Sequence, residues 1–443
     1  MLNYKIAIVG AGPSGYFTAQ ALQKAQSDHL KFSIDIFEKL PTPGGLIRSG
    51  VAPDRQKIKT VSKVFEKIAK EDGFRLFANV EIGKDISLKV LKDQYDAVVI
   101  ATGAPDSKSL GIAGENLSNC FSATQFVSWY NAHPDFKDIQ VDFSHETAVI
   151  IGAGNVALDI ARMLLNDLKD LECTDISEHA IPIFRSNKIQ NIIICGRRGP
   201  EHASFTPIEI RDISKLSNIN IKIDSDEIEK AINRVNLSLS TEKDLKNLEL
   251  LKTISENQKD NSKKNLELLF LTAPIEIKGK DKVEEVVFEL NSVENDLISQ
   301  TGKKFSISTG LVITAIGYET NYFPGMNLIN GRISNIAGHI EQNLYVVGWA
   351  KRGAEGLVGT LKSDAKDVVE LLIENLNQPK LSIGIPRSLK PGHKVVDQLS
   401  WERINAAEVV AGEIYGKPRV KFTDRKDMLA FVDERDRSRP NSN

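Results

Sequence analysis

Cysteine is scarce in this chain, whose 443 residues contain only Cys120, Cys173 and Cys195. The three are widely spaced and form no CxxC pair. An odd number of scattered cysteines is typical of reduced thiols in a reducing compartment. The sequence therefore excludes a dithiol redox centre or an iron–sulfur cluster within this chain. We interpret the cysteines as structural thiols and predict no metal site.

Long apolar runs and a strong net charge are also missing. The longest apolar runs, such as "YDAVVI" at residues 95–100, have the length of a strand rather than of a membrane span. A formal net charge of −2 favours neither nucleic acid nor an anionic membrane as a partner. The chain enters a strand pattern at once, which leaves no room for a signal peptide. We expect a cytoplasmic protein, or one of the mitochondrial matrix if a presequence has been removed.

What the chain does contain is a repeated pattern of strand, glycine turn, helix and strand. Its length allows two or three domains, and the pattern occurs near residues 5–38 and again near 147–195. Residues 224–266 are charged and rich in Asn and Lys, with Leu and Ile at helical spacing, which predicts exposed helices in an insertion. The last residues, "DERDRSRPNSN", predict a disordered tail from about residue 432.

The first unit carries a dinucleotide-binding fingerprint. "IAIVGAGPSG" has Gly10, Gly12 and Gly15 between a strand and a helix predicted from about Ser14. These glycines allow a tight turn, the approach of a pyrophosphate and close packing of helix on strand. Glu38 ends the next strand, where an acidic side chain can bind the ribose hydroxyls of FAD or NAD.

The second unit has a similar glycine turn. "VIIGAGNVALDIA" contains Gly152 and Gly154, and Ala157 stands at the third position, a variant that the fingerprint tolerates. Asn155 and Val156 would direct backbone N–H groups, and an amide side chain, at a phosphate.

Two arginines end the second strand of this unit, where an acidic residue usually stands. Guanidinium groups bind phosphate oxygens in a bidentate manner, so Arg197 and Arg198 indicate a 2′-phosphate and therefore NADP(H). The alternative is a solvated pair of charges that binds nothing.

Three further segments point to a junction between cofactors. Residues 96–106 ("DAVVIATGAPD") and 310–320 ("GLVITAIGYET") are strands that end in a small residue and glycine, which lets the chain pass beside a cofactor or simply leave a sheet. In "LYVVGWAKRGAEGLVGT", Trp349 follows a strand and a helix begins near Gly356 and Leu357. A helix N-terminus can present N–H groups to a flavin. The alternative for Trp349 is a core aromatic.

Nearly the whole chain resembles the adrenodoxin reductase family of ferredoxin–NADP reductases, which are flavoproteins of the glutathione reductase type with two dinucleotide folds. The motifs are "GAGPSGYFTA", "DIFEKLPTPGGLIRSGVAPD", "ATGAPD", "FVSWYNAHPD", "IGAGNVALDIARMLL", "CGRRGP", "FTPIEIRD", "FLTAPIEIKG", "AIGY", "VGWAKRGAEGLVGT" and "GKPR". We therefore predict an α/β fold of two Rossmann-like domains. An FAD domain of residues 1–104 and 331–443 encloses an NADP domain of residues 105–330.

The resemblance also implies the cofactor contacts. Together with the glycine motif, the FAD contacts are Gly10, Gly12, Ser14, Gly15, Glu38, Leu46, Ile82, Trp349, Gly356, Leu357 and Val358. The NADP contacts are Ala153, Gly154, Asn155, Val156, Arg197, Arg198, Glu209 and Gly356. The chain departs from the family at two positions near the flavin and nicotinamide. Arg55 replaces the usual His and Asp212 the usual Glu, so these two catalytic candidates argue against a proton relay but not against hydride transfer.

The implied reaction is hydride transfer from NADPH to FAD, followed by single electrons to ferredoxin or a flavodoxin-like acidic carrier, in reversible steps. The missing cysteine pair agrees, because disulfide-reducing relatives need a dithiol. The alternatives are a non-catalytic FAD- and NADP-binding redox sensor, a reductase subunit of glutamate synthase type, and a flavin monooxygenase.

An acidic carrier needs a basic docking face in spite of the net charge. The candidate cations are Arg48, Arg55, Lys59, Lys63, Lys67, Lys70, Lys351 and Arg352. The alternative is an ordinary solvated helix face.

Overall fold

The structure is a computed structural model that describes residues 1–235, 241–256, 260, 263–294, 297–320, 323–356, 358–380, 389–390 and 392–432. The tail predicted from about residue 432 lies outside these ranges except for its first residue, and so does Leu357. Within the described ranges, helices that combine the length and the apolar character needed to cross a membrane are absent.

The described strands are numbered from the N-terminus. They are β1 (Leu2–Val9), β2 (Leu30–Glu38), β3 (Phe74–Ala78), β4 (Ala97–Ile100), β5 (Asp106–Ser107), β6 (Cys120–Ser122), β7 (Thr147–Ile151), β8 (Asn191–Cys195), β9 (Ile219–Ile223), β10 (Lys264–Leu269), β11 (Thr272–Lys278), β12 (Glu285–Glu294), β13 (Leu297–Ser308), β14 (Leu311–Thr314), β15 (Tyr318–Glu319), β16 (Leu328–Ile329), β17 (Arg332–Ile333), β18 (His339–Glu341) and β19 (Leu344–Val346).

The described helices alternate with the strands over much of the chain. They are α1 (Pro13–Ala25), α2 (Leu46–Ser49), α3 (Gln56–Lys59), α4 (Ser62–Ala69), α5 (Leu88–Gln94), α6 (Ala123–Tyr130), α7 (Asn155–Leu165), α8 (Leu168–Glu172), α9 (Ile181–Arg185), α10 (Pro207–Ser214), α11 (Ser225–Arg234), α12 (Glu242–Ser255), α13 (Trp349–Arg352), α14 (Val358–Glu374), α15 (Gln398–Glu413) and α16 (Arg425–Leu429). A 3₁₀ helix spans Pro200–His202.

The first sheet joins both ends of the chain. Its strand order is β18-β19-β4-β1-β2-β3, parallel except for the β18–β19 pair. Central β1 and β4 are apolar runs, and Ile6, Ile8 and Val99 are fully buried, as expected of a parallel sheet covered on both faces. The order reverses at β1, which places the glycine turn after β1 at the topological switch point, where such sheets bind ligands.

The second sheet is built from the chain between these ends. Its order is β6-β14-β7-β8-β10-β9, with every pair parallel. The antiparallel sheet β11-β12-β13 packs beside it, with Val286 and Phe288 buried against Val149 and Val312. The order again reverses at the strand before a glycine turn, here β7. The predicted two-domain α/β fold, with one Rossmann-like unit inserted in the other, is confirmed.

The charged segment 224–266 differs from the exposed insertion that its composition predicted. Its helix α12 buries Leu248, Leu251 and Ile254, and the last two join the core of the second sheet. The segment also ends inside β10, which lies between β8 and β9 in that sheet. The prediction was wrong because the many Lys and Glu residues outnumber the apolar residues that form one face of α12 and the interior side chains of β10.

The two places where the chain crosses between the sheets lie side by side. β5 follows the first part of the first sheet and β15 follows β14, and the two pair in antiparallel fashion. Tyr318 is opposite Ser107, and Glu319 is opposite Asp106. The segments predicted to pass between domains therefore meet at one junction.

Candidate dinucleotide sites

The turn between β1 and α1 needs its glycines for close approach. Gly10 has a φ of +114°, and a Cβ there would come within 2.5 Å of the carbonyl oxygen of Ala101. A Cβ on Gly15 would come within 2.0 Å of the carbonyl oxygen of Gly10, so α1 can lie this close to the turn only without a side chain. A Cβ on Gly12, by contrast, would meet only the Cα of Gly45, at 3.8 Å. The turn is therefore tightly packed at Gly10 and Gly15, and it has free space beside Gly12.

The start of α1 is free to bind an anion. Its N-cap residue is Gly12, and no side chain caps the helix. The first N–H groups of an uncapped helix carry positive potential and lack intrahelical partners. Ser14 is buried beneath Gly348, where a Cβ would meet the Ser14 Oγ at 2.1 Å. The arrangement fits a pyrophosphate.

Glu38 ends β2 beside this turn. Its Oε2 accepts the Ala11 N–H at 3.0 Å and its Oε1 accepts the Leu40 N–H at 3.0 Å. Burial raises the pKa of Glu38, and the bonds to Leu40 and Ala11 partly offset that rise. Each carboxylate oxygen can accept a second hydrogen bond, so the side chain is placed to bind ribose hydroxyls.

Polar atoms without partners lie where β4 and β19 end. Among the described residues, the Thr102 Oγ1 and the Trp349 Nε1 are buried and make no hydrogen bond. Buried polar groups normally have partners, so these atoms fit a polar ring that the protein is built to hold. The Trp349 ring stacks on Tyr318, with centroids 5.7 Å apart. Gly103 has open space on its Cβ side, since no atom of the described residues lies within 4 Å.

The remaining predicted FAD contacts surround this region in sequence but are less clearly placed. Leu46 is the first residue of α2 and is 41% exposed. Ile82 is buried. Gly356 is exposed with a φ of +87°, and α14 begins at Val358, whose side chain lies outside the description, as does Leu357. Their roles toward FAD stay predictions.

The second glycine turn repeats the geometry of the first. Gly152 has a φ of +122°, and a Cβ there would come within 2.2 Å of the Ala315 carbonyl oxygen. Helix α7 has Gly154 as its N-cap and no side-chain cap, so its first N–H groups are again free for an anion. Ala157 is fully buried in the third position.

The side chain of Asn155 departs from its predicted role. Its Oδ1 accepts the Thr206 N–H at 2.7 Å, so this part of the amide holds a loop rather than facing a phosphate. The same loop donates the Ser204 N–H to the Ala153 carbonyl at 2.8 Å. The sequence analysis did not identify this loop at residues 203–206. Its Ser and Thr before Pro207 are typical of a helix start and were the available signal.

Arg197 and Arg198 follow β8 and are exposed. Across the part of the chain that the structure describes, neither side chain has an ion-pair partner. Their backbone carbonyls are fixed instead, since the Arg197 oxygen accepts Asn291 Nδ2 at 2.9 Å and the Arg198 oxygen accepts the Leu271 N–H at 3.0 Å. Two exposed guanidinium groups on a fixed backbone, with no ion-pair partner in the described residues, suit a 2′-phosphate.

A charged network joins the two halves between the glycine turns. Arg55 donates to Asp212 at 2.6 Å and to Glu209, both on α10. Arg162 of α7 donates to Asp54 at 2.5 Å and to Asp159 at 2.6 Å. The two positions at which the chain departs from the family, Arg55 and Asp212, therefore bind each other.

Acids in this network have shifted pKa values. Burial raises the pKa of Asp159, and Arg162 only partly offsets the rise. Burial and the nearby Asp159 raise the pKa of Glu209. Burial also opposes ionisation of Asp212, but the bond to Arg55 outweighs it and lowers the pKa. Because arginine stays protonated, Arg55 orients and neutralises these groups and is no proton donor.

Several residues of this junction were not identified from the sequence. Asp54, Arg162, Tyr130 and Tyr318 lie within motifs of the family resemblance, but no role was predicted for any of them. Burial raises the pKa of Tyr318 to about 12, with Asp159 adding to the shift. The "DIAR" stretch in α7, with its acid and arginine three residues apart, was the available signal for the network.

The predicted docking cations separate into two groups. Lys59 is bound to Asp175 at 2.6 Å and Arg48 to Glu408 at 2.5 Å, and both are largely buried. Arg55 belongs to the junction network, and Lys351 binds Asp364 at 2.9 Å. As members of a free docking face, these four were wrong, because each is paired with a carboxylate of the protein. Of the other four candidates, Lys63, Lys67 and Lys70 form an exposed stripe on and after α4. Arg352 is half-buried and donates to the Thr360 Oγ1 at 3.3 Å.

The cysteines and potential metal ligands are dispersed. All three cysteines are in the described ranges and are free, with Cys195 buried. In the same ranges, no group of three or more His, Cys, Asp or Glu side chains is arranged to hold a metal ion.

Two glycine turns on two parallel sheets, one followed by an acid and one by two arginines, define a two-dinucleotide-fold oxidoreductase. A family model described as "Pyridine nucleotide-disulphide oxidoreductase" matches residues 4–193. NADPH-ferredoxin reductase FprA of Mycobacterium tuberculosis is 40% identical, over 97% of this chain and 99% of the relative. The mitochondrial NADPH:adrenodoxin oxidoreductase of Salvelinus fontinalis is 34% identical, over 96% and 90%.

Solved structures agree with these relatives. M. tuberculosis FprA in complex with NADPH superposes with a TM-score of 0.91 at 39% identity, over 97% of this chain and 99% of the other. The chain belongs to the family of NADPH–ferredoxin reductases and adrenodoxin reductases, which are flavoprotein oxidoreductases. The family and the enzyme class predicted from the sequence are confirmed.

Proposed function

We propose that the protein is an NADPH–ferredoxin reductase that holds FAD on the first glycine turn and NADPH on the second. The observation that carries the proposal is the contrast between the two strand ends. Glu38 offers acceptors to a free ribose, whereas Arg197 and Arg198 offer unneutralised cations to a phosphate. This contrast supports binding of FAD at the first site and of NADPH, in preference to NADH, at the second.

FAD, when bound, accepts a hydride from NADPH and releases electrons singly to a one-electron carrier. The chain itself supplies placement. The uncapped starts of α1 and α7 bind the phosphates. The stacked rings of Trp349 and Tyr318 form one wall of the region beside Thr102. Walls of this kind restrict water and hold the reacting rings in one orientation, which is worth several kcal/mol of barrier.

The network of Asp54, Arg55, Asp159, Arg162 and Glu209 holds the two nucleotide-binding halves together next to these sites. Hydride transfer requires no proton. Burial raises the pKa of Asp159 and of Glu209, and the nearby arginines Arg162 and Arg55 partly offset the rise. We assign the network to positioning of the nicotinamide-binding half.

The finer predictions belong to the same proposal. The exposed Lys63, Lys67 and Lys70 support docking of an acidic carrier, ferredoxin or one of flavodoxin type. The two six-stranded sheets support domain bounds of 1–104 with 331–443, and of 105–330, although the β16–β17 pair spans the bound at residue 330. Three free thiols support a reducing compartment such as the cytoplasm.

The test is an anaerobic titration of the purified protein with NADPH and separately with NADH, followed by flavin absorbance. NADPH should bleach the flavin at far lower concentration than NADH, and the reduced protein should then reduce ferredoxin with turnover. The redox-sensor alternative expects FAD binding without turnover, even with ferricyanide as acceptor. Absence of flavin, or of bleaching by either nucleotide, would reject the reductase assignment.

A further inference from the structure

A cavity lies behind the 43–48 loop, which contacts the first glycine turn through a bond from the Gly44 N–H to the Ala11 carbonyl at 2.7 Å. It has a volume of about 220 Å³ and is lined by residues of α1 to α4, of α15 and of the segment Pro418–Lys421. We call it the α4–α15 cavity. Its lining shares no residue with the predicted FAD and NADP contacts. It is therefore a separate space, with the 43–48 loop between it and the first glycine turn.

One side of the cavity is apolar and aromatic. Tyr16 and Phe65 stack face to face, with ring centroids 4.5 Å apart and planes 5° apart. Ile47 and Trp401 complete this side, and the Arg48 guanidinium lies 5.5 Å from the Trp401 centroid. Such walls favour an aliphatic chain or an aromatic ring over a hydrated ion.

The other side carries two buried acids, each shared by two cations. Asp175 binds Lys59 at 2.6 Å and Lys421 at 2.9 Å. Glu408 binds Arg48 at 2.5 Å and Arg419 at 3.3 Å.

This arrangement leaves a positive surplus in the interior. Four cations face two carboxylates, and the side chains of Lys421 and Glu408 are 1% and 0% exposed. The exposed Lys63 and Glu66 at the cavity carry opposite charges and do not change the balance. Buried charge without a counter-ion is unfavourable. The site therefore lacks negative charge to balance its four cations.

The state of Lys421 agrees with that surplus. Burial lowers the pKa of Lys421 to about 7, Lys59 and Arg48 add to this effect, and Asp175 partly offsets it. The Lys421 ammonium group also donates to the Arg48 carbonyl at 3.1 Å and to the Asn131 Oδ1 at 3.2 Å. A bound anion would supply the missing negative charge and favour the protonated form of Lys421.

We propose that the α4–α15 cavity binds an amphipathic organic acid, with its carboxylate beside Lys421 and Arg419 and its apolar part against Tyr16, Phe65 and Trp401. This site is additional to the proposed reductase activity. Its ligand is an effector rather than a substrate, because the cavity is separate from the predicted flavin and nicotinamide contacts.

The probe is octanoate, measured by isothermal titration calorimetry against the FAD-loaded protein. Octanamide, the neutral isostere, and inorganic phosphate are the matched ligands. Octanoate should bind one to one and at least tenfold more tightly than either. Equal binding of octanoate and octanamide would overturn the role of the ligand's charge. Tighter binding of phosphate would overturn the role of the apolar wall, and absence of octanoate binding would overturn the proposal as a whole.

Three variants locate the binding. Lys421→Met leaves Asp175 paired with Lys59 and should weaken octanoate binding at least tenfold. Ser62→Trp places a large side chain in the cavity and should have the same effect without removing a charge. Lys24→Met, an exposed lysine on α1, is the control and should bind as the wild type does. Unchanged binding in both cavity variants would reject the proposed location.

A fourth measurement separates this proposal from the reductase assignment. Bleaching of the flavin by NADPH should proceed at the wild-type rate in Lys421→Met and in Ser62→Trp. Loss of octanoate binding with intact bleaching supports the cavity alone, whereas loss of bleaching in both variants would contradict its separation from the cofactor sites.

Discussion

Arg55 stands where the family usually has a histidine, and this replacement changes the chemistry of the position. A histidine at this position could bind one carboxylate and could release its proton, whereas Arg55 binds both Glu209 and Asp212 and stays charged. Its partners lie 154 and 157 positions away in the chain. The residue has therefore become a link between the two halves, with no capacity to relay a proton.

We expect Arg55→Met to destabilise the protein by about 1–3 kcal/mol at pH 7, because two partly buried carboxylates lose their charge-assisted bonds. With Arg55 present, the pKa of Asp212 is lowered, so the bond stabilises the fold above about pH 4 and is lost as the pH falls. The difference between variant and wild type should therefore shrink between pH 7 and pH 4 in denaturant unfolding.

The matched control is Lys215→Met. Lys215 also contacts Asp212, at 3.4 Å, but is 66% exposed, so its loss should change the stability by less than about 0.5 kcal/mol at either pH. Equal effects of the two substitutions, or an Arg55→Met effect that grows toward pH 4, would contradict the assignment.

The arginine pair after β8 gives the second prediction at this scale. Arg197→Ala with Arg198→Ala should raise the KM for NADPH by about 10- to 100-fold, the value of one or two hydrogen bonds to a charged group. The KM for NADH should hardly change. Arg185→Ala removes a comparably exposed arginine elsewhere in the second unit and serves as the control. A uniform loss with both nucleotides would show that the pair does not read the 2′-phosphate.

At the scale of elements, the glycine turns could be predicted from the sequence and the junction network could not. The spacing of Gly10, Gly12 and Gly15 is local, so its meaning is contained in six residues. The bond between Arg162 and Asp54 joins positions 108 apart, and only the packing of the sheets brings them together. The charged composition of α12 likewise hid the face that packs on the core.

The first glycine turn allows its two functions to be separated. Gly15→Ala would place a Cβ 2.0 Å from the Gly10 oxygen, so α1 must move and both the fold and FAD binding should suffer. Gly12→Ala meets nothing closer than 3.8 Å, so the fold should persist while the methyl group obstructs the pyrophosphate. Circular dichroism and the flavin absorbance of the purified variants would distinguish the two, and identical behaviour would contradict this division.

At the scale of the whole molecule, the chain is weakly acidic, and Lys63, Lys67 and Lys70 form an exposed stripe among the cations predicted to meet the carrier. Most other cations predicted to meet the carrier are held in ion pairs with distant carboxylates, such as Lys59 with Asp175. A sequence lists charges but not their partners, so composition could predict the existence of a basic face and not its members.

Lys67→Glu with Lys70→Glu should slow ferredoxin reduction about tenfold at low salt and leave flavin reduction by NADPH unchanged. Raising the salt to moderate strength should slow the wild type and narrow this difference. Lys366→Glu, on α14, is the control for a charge change outside the stripe. Rates that are independent of salt in all three proteins would exclude electrostatic steering.

The pairing of β5 with β15 has a consequence for how this chain could be taken apart. Residues opposite each other in an antiparallel pair lie about 5 Å apart, so Ser107 and Tyr318 can be joined by a tight turn once everything between them is removed. The first sheet uses no strand from the excised part. The second unit therefore joins the first through two neighbouring chain ends, and another unit with neighbouring ends could be inserted at the same point.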